Sequence, residues 1–258
     1  VSEKNREGKR SARERLAVER EKRRAADKRR RALIVGASIV CVLGLATVVG
    51  VLAANAGKSG KSGASGPATA PSGATGKDGL AIPVGKDSAK STLTVWEDFR
   101  CPACEAFETA YRPAVRQLAD AGQLKVEYHL VTLIDGNLRG SGSLRAANAA
   151  ACAQDAGKFW DYHDVLYQNQ PKETQDTFGD NDKLIELAGK VDGLTTPTFE
   201  KCVKDGTHDS WVQKSNTAFQ AGGFSGTPTV LLDGKNVYGD QTMTPAKLKQ
   251  MVEAANKS

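Results

Sequence analysis

Cys101 and Cys104, two cysteines with two residues between them, are the residues here whose type and spacing can do redox chemistry. A thiolate attacks a disulfide sulfur, and a second thiol about one helical turn away can close a small ring or resolve a mixed disulfide. Two other uses of the spacing compete with this one. A zinc site takes four ligands, usually from two such pairs or one pair with closely spaced histidines. His129, His163 and His208 are isolated, and there is no second Cys-x-x-Cys. A purely structural disulfide is the other use, but so small a ring constrains few unfolded conformations and gains little by closing. Redox exchange is the favoured reading, with no metal ligands and no cofactor expected.

The elements around the pair must place it. Residues 92–96 have the β-branched and aromatic character of a buried strand, and Phe107, Tyr111, Val115 and Leu118 repeat at helical spacing after it. The motif therefore sits where strand becomes helix. That position aims unpaired backbone N–H groups and the positive helix end at Cys101, which favours its thiolate. Pro102 suits a first helical turn, where no N–H is needed. Residues 80–84 read as an edge strand, 92–96 as the central strand and 101–121 as the first helix. Residues 124–134 read as a second β-run, giving a βαβ unit and a partly parallel sheet. An Asp233-Gly234 turn signal sets a hairpin over 229–238, and 244–255 form a closing helix capped by Thr244.

Between these halves, 143–156, 159–169, 182–190, 196–204 and 210–220 show only helical periodicity. They constitute a helical insertion over about 137–222. Its aromatics Phe159, Trp160, Tyr162, Tyr167, Phe199, Trp211 and Phe219 read mostly as core. The fold class is α/β, with the globular domain over 80–258.

The beginning of the chain has another character. Residues 1–31 hold 14 Lys or Arg against six acids, a net +8, so the formal +6 of the whole chain leaves −2 for the rest. Basicity thus belongs to the tail, and a nucleic-acid partner is not expected of the folded part. Residues 32–54 are an uncharged apolar run long enough to cross a bilayer as a helix. Arginines crowd its amino-terminal side, which predicts a cytoplasmic N-terminus and a catalytic domain outside the cell membrane. A cleaved signal peptide is the alternative, although the run exceeds a usual h-region. Either route exports the domain. Residues 55–79 are rich in Gly, Ser, Ala, Lys, Thr and Pro, and read as a flexible linker.

A strand, a Cys-Pro-x-Cys helix, a second strand, a helical insertion and Gly226-Thr227-Pro228 before a hairpin together resemble the DsbA-type thiol:disulfide oxidoreductases of the thioredoxin superfamily. The setting from Asp98 to Phe107, with the basic tail and single anchor, resembles the membrane-tethered DsbA-like proteins of actinobacteria. The resemblance implies a thioredoxin-like fold, a cis Pro228 beside the sulfurs, and a Thr227 backbone offered to extended substrate. It also implies a quinone-linked membrane reoxidase, DsbB-like or of the vitamin K epoxide reductase type. Ala103 departs from the His of the Escherichia-type proteins, so a lowered Cys101 pKa is expected from helix-start geometry alone. Glu97 and Asp98 are candidates for proton transfer to Cys104, or for capping the helix.

The expected function is donation of the Cys101–Cys104 disulfide to exported cysteine-containing polypeptides. Two alternatives stand beside it: a reductase or isomerase, as in cytochrome c maturation, and a tethered peptide-binding or chaperone module with a structural Cys-x-x-Cys. Cys41 falls within the apolar run, which leaves Cys152 and Cys202 as the remaining exported pair. A structural disulfide between them is expected, with two buried free thiols as the alternative.

Overall fold

The computed structural model describes residues 68–238 and 242–257. The expected basic tail, the apolar run at 32–54 with Cys41, and the linker up to residue 67 lie outside the described residues. Among the described residues no helix is long and apolar enough to cross a membrane.

Five strands make one sheet in the order β1-β3-β2-β4-β5. They are β1 Ile82–Gly85, β2 Ser91–Glu97, β3 Leu124–Leu130, β4 Thr229–Leu232 and β5 Lys235–Asn236. β2 takes the centre because it is apolar toward both faces: Leu93 and Val95 are fully buried on one side and Trp96 is buried on the other. β2 and β3 run parallel, with Val95 opposite Tyr128 and Trp96 opposite His129. The connection between them is α1, Pro102–Asp120, the crossover that parallel strands require. β1 is antiparallel to β3 at the sheet edge, where Pro83 withholds no needed donor. The closing helix α8, Pro245–Lys257, lies against α1, and Tyr111 Oη donates to the Met243 carbonyl at 2.9 Å. Thr244 Oγ1 accepts from Lys247 N at 3.1 Å, the expected cap.

The expected second strand over 124–134 ends at Leu130. Leu133–Leu138 form a short helix, α2, instead. An apolar run reads alike in a buried strand and a buried helix, and here the Asp98 carboxylate takes the Ile134 N–H that a strand would have used. The insertion continues through α3 Gly142–Asp155, α4 Phe159–Gln168, α5 Asn181–Ala188, α6 Pro197–Asp205 and α7 Asp209–Ala221. Of its aromatics, Trp160 is the one left half-buried, beneath the Arg116 guanidinium at 4.3 Å. Helix α7 packs on both α3 and the sheet: Phe219 lies on Trp96 of β2, and Asn216 Oδ1 accepts from Thr132 N.

The expected linker ran to residue 79, but its described part is bound to the domain. Thr75 bridges Ala81, Ser72 N donates to Asp155 Oδ1 at 2.7 Å, and the Thr69 carbonyl meets His208 Nδ1 at 2.9 Å. Composition hid these contacts because they are made by backbone groups, which any residue type carries.

Candidate active site

The end of β2 and the start of α1 set the site. Cys101 is the N-cap of α1 with extended backbone, and Pro102 occupies the first helical position. The Cys101 carbonyl accepts from Cys104 N and Glu105 N at 3.0 and 3.2 Å, which fixes the first turn. Both thiols are free; Cys101 keeps 7% exposure and Cys104 none. The bond between Thr227 and Pro228 is cis, and Cys101 Sγ donates to the Thr227 carbonyl at 3.3 Å. Residues 126 positions apart in the chain thus meet at the sulfur.

Electrostatics separate the two thiols. A hydrogen bond from the Cys104 thiol, helped by the Thr227 side chain and the N–H groups of Cys104 and Ala103, overcomes burial and lowers the Cys101 pKa from 9.0 to about 6. Burial pushes Cys104 well above its ordinary value, and the charges of Cys101 and Glu97 add to the rise. Thr227 Oγ1 is buried with no partner while Cys101 is a thiol, so a donor stands ready for the thiolate.

Asp98 and Glu97 take different places. Asp98 does not cap α1; its oxygens accept from Arg100 N and Ile134 N at 2.8 and 2.9 Å, joining the active-site loop to α2. Burial raises its pKa to about 7. Glu97 is wholly buried, with Oε1 2.7 Å from His163 Nε2 on α4. Burial opposes charge on the His163 ring, but the Glu97 carboxylate outweighs it and raises the ring's pKa to about 10. Glu108 lies beside them, raised by burial to about 8.

Three residues that hold the loop were not apparent from sequence. Arg100, 2% exposed, reaches Asp135 at 2.6 Å and Asp176 at 3.0 Å, and donates to the Glu173 carbonyl. Gln170 Nε2 donates to the carbonyls of Phe99 and Cys101 at 2.9 and 3.1 Å. His163 stood out in the sequence as an isolated histidine whose partner could not be named. The only available signal was a titratable pair, His163-Asp164, inside an aromatic helical stretch. Away from the site, Cys152 of α3 and Cys202 of α6 form a disulfide of 2.03 Å.

A thioredoxin family model matches residues 77–254. The chain belongs to the thioredoxin family. Disulfide bond formation protein D of Bacillus subtilis is 27% identical over 155 residues, 59% of this chain and 67% of that protein. The oxidised crystal structure of Mycobacterium tuberculosis DsbA superposes with a TM-score of 0.60 at 29% identity, covering 69% of this chain and 93% of that one. DsbG of the same organism, in its reduced form, gives 0.60 at 29% identity over 72% of this chain and 90% of that one. The protein is a DsbA-type thiol:disulfide oxidoreductase, with a thioredoxin-like α/β fold and a helical insertion.

Proposed function

We propose that the protein donates a Cys101–Cys104 disulfide to thiol pairs in exported polypeptides. The observation that carries this reading is the contrast between the sulfurs: a thiolate-favouring Cys101 at the open end of α1 and a buried, thiol-favouring Cys104. The substrate's thiolate attacks Cys101, a mixed disulfide forms, and a second substrate thiol resolves it, leaving Cys101 as a stabilised thiolate. Ala103 tunes that stability through its backbone N–H, and Pro102 does so by starting the helix at a position that needs no N–H. Thr227 and Pro228 present backbone to an extended substrate next to Cys101, a role the 3.3 Å contact supports. Glu97 and Asp98 serve proton transfer at Cys104, supported by their burial and by the charge of Glu97 acting on that thiol. Cys152–Cys202 is structural.

The donor is regenerated by a quinone-linked membrane reoxidase, DsbB-like or of the vitamin K epoxide reductase type. An anchor at 32–54 would hold the domain outside the cell membrane and raise its local concentration near that partner. One observation favours reductase chemistry as a second reading: a Cys101 pKa of about 6 lies closer to thioredoxin's value of about 7 than to that of the strongest oxidants, about 3.5. Refolding of a reduced, denatured disulfide protein separates the two. Oxidised enzyme is expected to restore its activity and Cys101→Ser enzyme to leave it inactive. Insulin reduction without oxidative refolding would favour the second reading.

A further inference from the structure

Cys104 is fully buried, yet its sulfur must exchange a proton in every cycle. When a substrate thiolate attacks Cys101 Sγ, the Cys101–Cys104 bond breaks, its electron pair leaves on Cys104 Sγ, and that sulfur takes up one proton. Attack by Cys104 on a mixed disulfide is the reverse and gives the proton back. Glu97, the last residue of β2, is the acid whose charge acts on the Cys104 thiol, but it too is wholly buried, so the proton needs a way to solvent.

The insertion provides a row of groups that ends in water. Glu97 Oε1 lies 2.7 Å from His163 Nε2. His163 Nδ1 lies 3.5 Å from Asp164 Oδ1, and Arg116 Nη2 donates to Asp164 Oδ2 at 2.6 Å. Exposure rises along the row, from none at Glu97 and His163 to 12% at Asp164 and 31% at Arg116. Glu108 of α1 brings a carboxylate to the inner end, within 4.8 Å of the Glu97 and His163 ligand atoms. A purely structural network would be expected to satisfy its buried atoms. Here Glu97 Oε2, Glu108 Oε1, His163 Nδ1 and Asp164 Oδ1 are all buried without a hydrogen-bond partner. The three carboxylate oxygens can each bind a travelling proton, and the His163 Nδ1–H faces Asp164 as a donor.

We infer that His163 and Asp164 of the helical insertion form the proton port of the active site, linking Glu97 beneath Cys104 to solvent at Arg116. The inference rests on the Cys101–Cys104 exchange proposed above. A proton held on Nε2 of His163 passes through the Glu97 carboxyl to the departing Cys104 sulfur, which leaves a neutral ring with its Nδ1–H toward Asp164, and a proton entering past Asp164 restores the imidazolium. The remaining groups facing the pair and its outlet are Arg112 on α1, Tyr128 on β3 and Tyr167 on α4, and Asp98, the residue after β2, acts on Tyr167. Both tyrosines are pushed well above their ordinary values by burial, and stay neutral while the others titrate. His163 acts through Glu97 and is a positioning and relay residue.

The test is stopped-flow exchange between the full chain and a reduced peptide thiol. The pH range runs from below the Cys101 pKa of about 6 to above the Glu108 value of about 8. His163→Gln keeps a hydrogen-bonding side chain but cannot carry the proton. It is expected to slow exchange about 100-fold and to flatten the pH profile, with the ultraviolet titration of the Cys101 thiolate unmoved. Asp164→Asn, at the port, should give a smaller loss of the same form, and stands if the first variant does not fold. A loss equal at every pH, or no loss in either variant, overturns the port while leaving the proposed function intact. An unaltered chain that fails to exchange overturns the proposed function, and the port with it.

Discussion

Cys101 and Cys104 share one helical turn but not one environment, and the difference follows from what each sulfur touches. The largest favourable contribution to the Cys101 thiolate is the hydrogen bond from Cys104. Cys104→Ala should therefore raise the Cys101 pKa from about 6 toward its ordinary 9.0, while Cys104→Ser, which keeps a donor, should raise it less. Ultraviolet titration of the thiolate checks both. In exchange assays Cys101→Ser is expected to be inactive and Cys104→Ser to accumulate mixed disulfides, visible on non-reducing gels. The cysteine pair was legible from the sequence because its chemistry depends on a local spacing. The Glu97–His163 pair was not, because its members lie 66 positions apart and meet only through the packing of α4 beneath β2.

At the scale of elements, the active-site loop is clamped from the insertion side. Arg100 ties it to Asp135 of α2 and to Asp176, and both acids also accept N–H groups around the start of α3. Arg100→Ala leaves these carboxylates without their buried cation, which should cost about 3–5 kcal/mol in urea unfolding. Gly140 and Gly142 close against the same cluster, and a Cβ on either would approach Asp176 to 2.7 or 2.6 Å. Strand β2, helix α1 and the closing helix were readable because each carries a clear period and a boundary residue. α2 was not: its residues match a strand until the Asp98 carboxylate claims a backbone donor from elsewhere in the chain. The Cys152–Cys202 bridge, spanning 50 positions, should contribute about 4 kcal/mol by restricting the unfolded chain. A double Cys→Ser variant unfolding at the parent's urea concentration would contradict that.

For the whole molecule, buried acids reverse the usual response to pH. Asp98 and Glu108 keep their protons up to about 7 and 8, against 3.8 and 4.5 ordinarily. Between those limits the folded state binds more protons than the unfolded one, so stability falls as pH rises. Reduced Cys101 works the other way, adding stability as pH climbs from about 6 toward 9.0. His163 loses its contribution between 6.5 and about 10. Burial lowers the His129 pKa to about 4, so that ring opposes the acids up to 6.5. The steepest loss near neutrality should therefore lie between 6.5 and about 7, where Asp98, Glu108 and His163 together outweigh Cys101. Urea midpoints of the reduced protein should fall across that window, less so in Glu108→Gln; a rise would contradict the protonated acids. The chain's capacity to oxidise substrates is tested most directly by the reduction potential of the Cys101–Cys104 couple against glutathione. Structural disulfides in secreted proteins lie below about −300 mV, so a donor must be well above that. With a Cys101 pKa of about 6, the potential should fall between thioredoxin's value of about −270 mV and the roughly −120 mV of the strongest oxidants. A potential at or below thioredoxin's would contradict disulfide donation.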